Sequence, residues 1–201
     1  MPRPKTRDGA LRDRLLSESI SLLESDGAVA VTARRIASDA ATSTAALYEL
    51  FGNKAGLIRS IFYEGFKRLA AELAAVEPAG DARLDVMAVF DTTRRFARES
   101  PMLFEVMFAR PFSEFEPDPE DYEAAKQIHS HVVERVAALL GTTGTDQVTV
   151  DGAHALVALD RGLISMELSG MLGGSPDSVE RRRAIALEAT INGLQARTGQ
   201  S

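Results

Sequence analysis

The 201-residue sequence contains no cysteine, so disulfide bonds, thiolate nucleophiles and thiolate metal ligands are all excluded. It contains no apolar run long enough to span a membrane, and its N-terminus lacks the apolar segment of a signal peptide. No segment shows the alternation of apolar and polar residues that is typical of half-buried strands. We therefore expect a cytoplasmic, all-α protein with no membrane partner.

The common signatures of enzymes are also missing. There is no glycine-rich phosphate loop and no serine-centred nucleophile elbow. The three histidines are poorly spaced for a metal ion, because His129 and His131 diverge on a helix and His154 is distant in sequence. We predict no enzymatic activity, no metal site and no cofactor, and we interpret each histidine as an ordinary surface or core residue.

Charge is distributed unevenly along a chain whose formal net charge is −6. Residues 1–60 hold nine Lys/Arg and seven Asp/Glu, whereas residues 61–201 hold fourteen and twenty-two. Phosphate binding depends on a local basic surface and not on the net charge of the whole chain. The N-terminal residues Arg3, Lys5 and Arg7 are therefore candidates for DNA contact, and a solvated terminal arm is the alternative interpretation.

Residues 32–54, TARRIASDAATSTAALYELFGNK, predict two short helices joined by a tight turn. Thr32 and Ser43 each precede one of the helices, where a hydroxyl can accept a hydrogen bond from the amides of the first turn. Residues 9–26 predict an earlier helix that braces the pair. Two short helices with small residues at their connection form a helix-turn-helix, whose second helix enters the major groove of DNA.

The same stretch carries a wider pattern, formed by Thr32, Ile36-Ala37, Ala40-Ala41-Thr42-Ser43, Ala45-Ala46-Leu47-Tyr48, Phe51, Asn53-Lys54 and Leu57. With this pattern, about the first sixty residues resemble the TetR family of transcriptional regulators. Ala41 departs from the family, which usually has glycine in the turn. Because alanine adopts a left-handed conformation only at a cost, we expect either an altered turn or a modestly strained one.

The predicted DNA-contacting residues divide into two kinds. Short side chains at the start of the second helix can approach base edges, and Arg34 is long enough to reach a guanine. Hydroxyl, amide and ammonium donors suit phosphates, and the resemblance implies phosphate contacts for Tyr48 and Lys54. Tyr48 can also pack in the small core with its hydroxyl exposed. The full set is Arg3, Lys5, Arg7, Thr32, Arg34, Ser43, Thr44, Ala45, Ala46, Tyr48 and Lys54.

The rest of the chain predicts further helices, about nine in all. We place a functional boundary near residue 60, which gives a helix-turn-helix domain (1–60) and a larger ligand-binding and dimerisation domain (61–201). Ser100-Pro101 predicts an N-cap followed by proline at the first helical position. Residues 161–170, RGLISMELSG, resemble the Leu-Glu-Leu-x-Gly pattern of one TetR-type ligand-binding domain, with Arg161 in place of that domain's histidine.

Large apolar side chains are concentrated between residues 102 and 115. Methionine and phenylalanine can form an adaptable wall around an apolar effector, and a filled core is the alternative. Arg161 lies in an otherwise apolar helix, where it either pairs with an acidic residue or meets an anionic effector. The predicted residues of a pocket for an unknown small molecule are Met102, Phe104, Met107, Phe108, Phe112 and Arg161.

The last two helices predict self-association. Residues 146–172 are apolar over so much of the helix that they need burial on more than one side, and the final helix adds a second stripe. We predict a four-helix interface with a second copy of the chain through Leu163, Met166, Leu187, Ile191 and Leu194. The alternative is that one subunit's core absorbs both stripes. Residues 181–183, three arginines, are interpreted as a solvated turn of the last helix.

These expectations combine into one predicted function. A dimer of helix-turn-helix units reads two half-sites roughly 34 Å apart, so the double-stranded operator should be close to palindromic. The resemblance implies a repressor that is released by a small, largely apolar effector. The alternative from another class is a helical homodimer that sequesters a ligand or binds a protein, without operator binding.

Overall fold

The computed structural model describes residues 5–109 and 111–199, without the side chains of residues 5–7 and 124. Within this part, the chain forms nine α-helices, one short 3-10 helix (Ala28–Ala30) and no strand. The predicted all-α class is therefore confirmed. The helices are α1 (Lys5–Asp26), α2 (Ala33–Asp39), α3 (Thr44–Phe51), α4 (Lys54–Ala74), α5 (Ala82–Glu99), α6 (Pro101–Phe108), α7 (Glu123–Leu140), α8 (Gln147–Leu168) and α9 (Pro176–Thr198).

The chain divides into two compact units. The first contains residues up to Arg68 together with Ser100–Ala124, and the second contains Leu69–Glu99 together with the chain from Ala125 onward. Helix α4 contributes to both. The sequence placed α6 and the loop after it in the larger domain, whereas by packing they belong to the unit that holds the helix-turn-helix.

The core of the first unit is built on α1, which contacts α2, α3 and α6. Leucine and isoleucine side chains of α1 fall on one face at helical spacing, and α2 and α3 each supply two apolar residues to the same core. The buried apolar residues of α1, α2 and α3 are Leu15, Leu16, Ile20, Leu22, Leu23, Ile36, Ala37, Leu47 and Phe51. Helix α1 begins at Lys5, four residues before the predicted start.

The N-terminus of α6 is capped by α1, not by the residue before it. Ser100 makes no capping hydrogen bond, although Pro101 occupies the first turn as predicted. The Glu24 carboxylate instead accepts from the backbone N–H groups of Met102 at 3.2 Å and Leu103 at 2.8 Å. A carboxylate at this position satisfies two unpaired amides and interacts favourably with the helix dipole. This contact ties α6 to the first helix of the DNA-binding unit.

In the second unit, α8 packs against both α9 and α5. Arg183 of α9 is 1% exposed and pairs with the buried carboxylate of Asp160 in α8, so its predicted place on a solvated turn is wrong. Helical periodicity explains the difference, because Arg183 lies on the same face as the buried Val179 and Leu187. No helix in the described part of the chain has both the length and the apolar composition needed to cross a membrane.

Candidate nucleic-acid interface

Hydroxyl caps define both helices of the helix-turn-helix. Thr32 Oγ1 accepts from the N–H of Arg35 at 3.4 Å, and Ser43 Oγ accepts from the N–H of Ala46 at 3.1 Å. Both predicted N-caps are confirmed. A hydroxyl that accepts in a cap keeps its own O–H as a donor, so each cap residue can also donate to a phosphate oxygen.

The turn between α2 and α3 is a Schellman motif with alanine at the left-handed position. The N–H of Thr42 donates to the carbonyl of Ala37 at 2.8 Å, and the N–H of Ala41 donates to the carbonyl of Ser38 at 3.0 Å. Ala41 has φ 49°, and it is the one non-glycine residue with positive φ in the described chain. Of the two expectations for this turn, the structure has the strained alanine.

Helix α3 presents its first turn and its tyrosine to solvent. Leu47 and Phe51 are buried against the rest of the unit, which leaves the opposite face free for contact. Thr44 and Ala45 are exposed, Ala46 is half-buried, and Tyr48 is 43% exposed. Thr44, Ala45 and Ala46, predicted to read bases, therefore share an accessible surface at the start of α3, as groove insertion requires.

The basic residues of this unit differ in how they are engaged. Arg34 is exposed, whereas Arg35 forms ion pairs with Asp26 and Asp39. The guanidinium of Arg12 lies 5.0 Å from the centroid of the Phe51 ring and donates to Ser60 Oγ. Sequence position alone could not tell Arg34 from Arg35 and Arg12, which are engaged within the unit. Lys5 and Arg7 lie in the first turns of α1, and their side chains, like all of Arg3, fall outside the described residues.

Residues 111–122, which we term the acidic loop, form ion pairs with the start of α4. Glu114 Oε1 lies 2.6 Å from Lys54 Nζ, and Asp118 and Asp121 lie 3.3 Å and 3.0 Å from the guanidinium of Arg59. The predicted phosphate-binding lysine thus has a carboxylate partner within its own unit. Sequence reasoning missed this contact because the paired residues are about sixty positions apart.

Two protein-family models match separate parts of the chain. Residues 15–61 match the family model described as bacterial regulatory proteins, tetR family. Residues 86–190, more than half of the chain, match the model described as tetracyclin repressor-like, C-terminal domain. The chain belongs to the TetR family of transcriptional regulators. It therefore combines an N-terminal DNA-binding domain with a C-terminal ligand-binding domain.

Solved structures similar to this TetR-family chain include a protein of unknown function from Rhodococcus sp. RHA1, with 27% identity and a TM-score of 0.76 over 92% of this chain and 95% of that one. The TetR family protein ActR from Streptomyces coelicolor, in complex with (S)-DNPA, has 20% identity and a TM-score of 0.65 over 92% and 96%. PfmR from Thermus thermophilus has 20% identity and a TM-score of 0.62 over 90% and 98%. No curated protein sequence matches the chain.

The predicted effector-pocket residues of this TetR-family chain are divided between its two units. Aromatic rings pack edge-to-face or tilted in the first unit, with centroids 4.7 Å apart for Phe104 and Phe108 and 5.4 Å for Phe66 and Phe108. A Cβ added at Gly65 would lie 2.7 Å from the sulfur of Met107, so α4 and α6 are in close contact there. Phe104, Met107 and Phe112 are buried and Met102 is half-buried in the first unit, whereas Arg161 lies on the exposed surface of α8 in the second.

Three of the predicted dimer-interface residues lie in the core of the subunit itself. Leu163, Leu187 and Ile191 are 8%, 1% and 0% exposed within a single chain, so they offer almost no surface to a second copy. Their assignment is corrected because α8, α9 and α5 use these stripes against one another. Met166 is 45% exposed, and Leu194 is half-buried. Leu194 also lines a groove of about 590 Å³ between α8 and α9, together with Val148, Asp151, Gly152, Ala155, Thr190, Gly193 and Arg197.

The histidines are closer in space than their sequence positions indicated. The rings of His129 in α7 and His154 in α8 have centroids 4.4 Å apart. Burial, with a smaller contribution from His154, lowers the pKa of His129, and burial likewise lowers the pKa of His131. Among the described residues, no group of three or more histidine or acidic side chains has a metal-binding arrangement.

Proposed function

We propose that this TetR-family protein is a repressor that binds a near-palindromic operator as a homodimer and is released by a small, largely apolar effector. The observation that carries the proposal is the capped helix-turn-helix whose first α3 turn is exposed while its opposite face is buried. A rigid helix held in this way can enter a major groove without rearrangement. We retain residues 1–60 and 61–201 as the functional division.

The proposed DNA contacts follow from exposure and chemistry. Thr44, Ala45 and Ala46 approach base edges from the start of α3, where a threonine or alanine methyl can meet a thymine methyl. Arg34 is exposed and long enough to reach a guanine. The phosphate contacts are assigned to Thr32, Ser43, Tyr48 and Lys54, with Arg3, Lys5 and Arg7 adding positive charge at the N-terminus.

The proposed dimer uses the outer surfaces of α8 and α9. The groove between these helices contains Ala155 and Gly193, whose small side chains permit close approach of another helix. Met166, Leu168 and Ile185 are 45%, 39% and 65% exposed, so apolar surface remains after the subunit core is complete. A second copy covering this surface would form the four-helix interface and place two reading helices on one operator.

The proposed effector site lies in the ligand-binding domain. ActR, which shares the fold, was solved in complex with (S)-DNPA, and this makes a small organic ligand a reasonable class for the present chain. The apolar residues between 102 and 115 supply the proposed wall. A ligand releases DNA only if it binds the DNA-incompetent arrangement more tightly than the competent one.

The test is selection of binding sites from random double-stranded DNA with the purified full chain. The proposal expects an enriched site with two inverted half-sites about one helical turn apart, bound by two subunits. An enriched site without inverted symmetry, or one bound by a single subunit, would overturn the dimeric part. Enrichment of no sequence at all would favour the interaction-protein alternative.

A further inference from the structure

Lys54 begins α4 at the edge of the helix-turn-helix, and a carboxylate of the same unit already holds its ammonium group. Lys54 Nζ donates to Glu114 Oε1 at 2.6 Å. The Lys54 hydrogen bond lowers the pKa of Glu114, so the carboxylate is ionised at neutral pH. The Lys54 nitrogen also lies 5.9 Å from the centroid of the Phe112 ring, at the start of the acidic loop. A phosphate that approaches Lys54 therefore meets a site that is already neutralised.

The acidic loop is anchored on both sides of Glu114, and these anchors hold Glu114 next to Lys54. Phe112 and Phe115 are buried on either side of Glu114, at 6% and 7% exposed. Asp121 is 1% exposed and accepts from the hydroxyl of Tyr63 at 2.8 Å, besides its ion pair with Arg59. Apolar anchors and a buried carboxylate thus hold the loop at both ends of the segment that carries Glu114.

The loop changes the charge of the DNA-binding unit. Residues 1–60 have an excess of two positive charges, whereas residues 111–122 contribute five acidic residues and no basic one. DNA-binding modules normally gain affinity from local positive charge, because neutralised phosphates release counterions. An acidic segment docked beside a phosphate-binding lysine opposes that gain.

We propose that the acidic loop is an intramolecular competitor of DNA phosphate, in which Glu114 occupies Lys54 in the free protein and is replaced by a phosphate on operator binding. The inference rests on the proposed DNA contact of Lys54. Exchange is feasible because the side chains of Lys54 and Glu114 are 37% and 44% exposed, and ion pairs at such sites are weak.

This arrangement gives the loop a regulatory consequence. Residues 111–122 lie within residues 86–190, which match the C-terminal domain model. They nevertheless pack in the unit that holds the helix-turn-helix. Any event that draws the loop away from α4 removes one competing carboxylate from Lys54 and strengthens DNA binding. Any event that holds the loop more firmly against α4 weakens DNA binding. The competition therefore links loop position to operator affinity through one defined contact.

The test compares wild type, E114Q and E120Q on the operator obtained by selection. Glu120 lies in the same loop and is exposed, and its backbone N–H contacts Asp118, so E120Q removes the same charge without touching Lys54. E114Q should bind about 3- to 10-fold more tightly than wild type at 50 mM salt, and E120Q should change affinity by less than about 2-fold. The logarithmic salt dependence of E114Q should be steeper by up to about 1, because wild-type Glu114 takes up a cation when it loses Lys54.

A double-mutant cycle makes the test specific. In a K54Q background, the effect of E114Q should fall to that of E120Q, because no ammonium remains to be contested. Equal affinities for E114Q and E120Q in the wild-type background would overturn the competition while leaving operator binding intact. If wild type and E114Q both fail to bind any selected duplex, the proposed function itself fails, and the competition fails with it. Circular dichroism checks that every variant is folded.

Discussion

The guanidinium of Arg183 donates to the carboxylate of Asp160 across 2.7 Å, and both side chains are at most 2% exposed. Asp91 of α5 lies 3.4 Å from the same guanidinium at the protein surface. This pair joins α9 to α8 inside the second unit, where water cannot replace a lost partner. A buried pair of this kind is costly to break by removing one member, because the remaining charge is left without compensation.

Replacing Arg183 by alanine should destabilise the protein by about 3–5 kcal/mol. The matched control is R181A, since Arg181 is exposed on the same turn and donates to the carbonyl of Asp177 in its own helix. The R181A change should stay within about 0.5 kcal/mol of wild type. Urea unfolding followed by circular dichroism measures both. A loss below about 1 kcal/mol for R183A would show that the buried pair does not hold α9 in place.

The pH dependence of stability should carry the signature of Asp160. Burial raises the pKa of Asp160 to about 6, and this outweighs the opposing effect of Arg183. Because the folded state then binds the proton more tightly than the unfolded chain, the contribution of Asp160 is largest below about pH 4 and is lost as pH rises through about 6. The difference in unfolding free energy between wild type and D160N should therefore decrease by up to roughly 3 kcal/mol from pH 4 to pH 7. A difference that grows with pH would contradict the raised pKa.

Ala41 should be a site where glycine is better than the natural residue. A non-glycine residue at φ 49° carries strain that glycine avoids, so A41G should raise the unfolding free energy by about 1 kcal/mol. The control is A45G in the first turn of α3, where glycine should cost about 0.5–1 kcal/mol because the backbone is helical. Denaturant midpoints decide the signs. If both variants are destabilised, the left-handed turn is not the native geometry.

The proposed dimer should be sensitive to one charge in the α8–α9 groove. A155E places a carboxylate in that groove, and it should shift the protein from dimer to monomer because an unpaired charge would be desolvated at the interface. A138E makes the same change at an exposed position of α7 and should leave the dimer intact. Light scattering after gel filtration gives the masses. Monomeric wild type, or a dimeric A155E variant, would exclude this surface as the interface.

Local features of the site could be predicted from the sequence, whereas distant contacts could not. Thr32 and Ser43 each accept from an N–H three residues later, and the turn at Ala41 is closed by hydrogen bonds to residues of α2. Because these contacts are local, the roles of all three residues follow from chain order. Glu24 caps a helix that begins 77 residues later, and neither residue type nor spacing indicates that partner. Likewise, the apolar stripes of α8 and α9 were recognised, but periodicity does not reveal whether a stripe is covered by its own subunit or by another copy.

The packing of the predicted effector-pocket residues depends on contacts between helices that are distant in sequence. The aromatic segment was recognised from composition, yet its packing against α4 depends on the three-dimensional approach of Gly65 to Met107. The arginines 181–183 show the same limit, since one of the three is buried and the others are exposed. Helical phase separates them, because Arg183 lies on the same face as the buried Val179 and Leu187.

We expect α3 to bring this protein to a specific DNA sequence, and fluorescence anisotropy of the full chain on its selected operator measures this. The comparison is with a shuffled duplex of the same composition, at 50 and 200 mM salt. We expect the operator to be preferred by at least about 10³-fold. We also expect affinity to fall by about 10³-fold or more between the two salt concentrations, as contact with six or more phosphates requires. Equal binding to both duplexes would contradict the assignment of α3 as a sequence-reading helix.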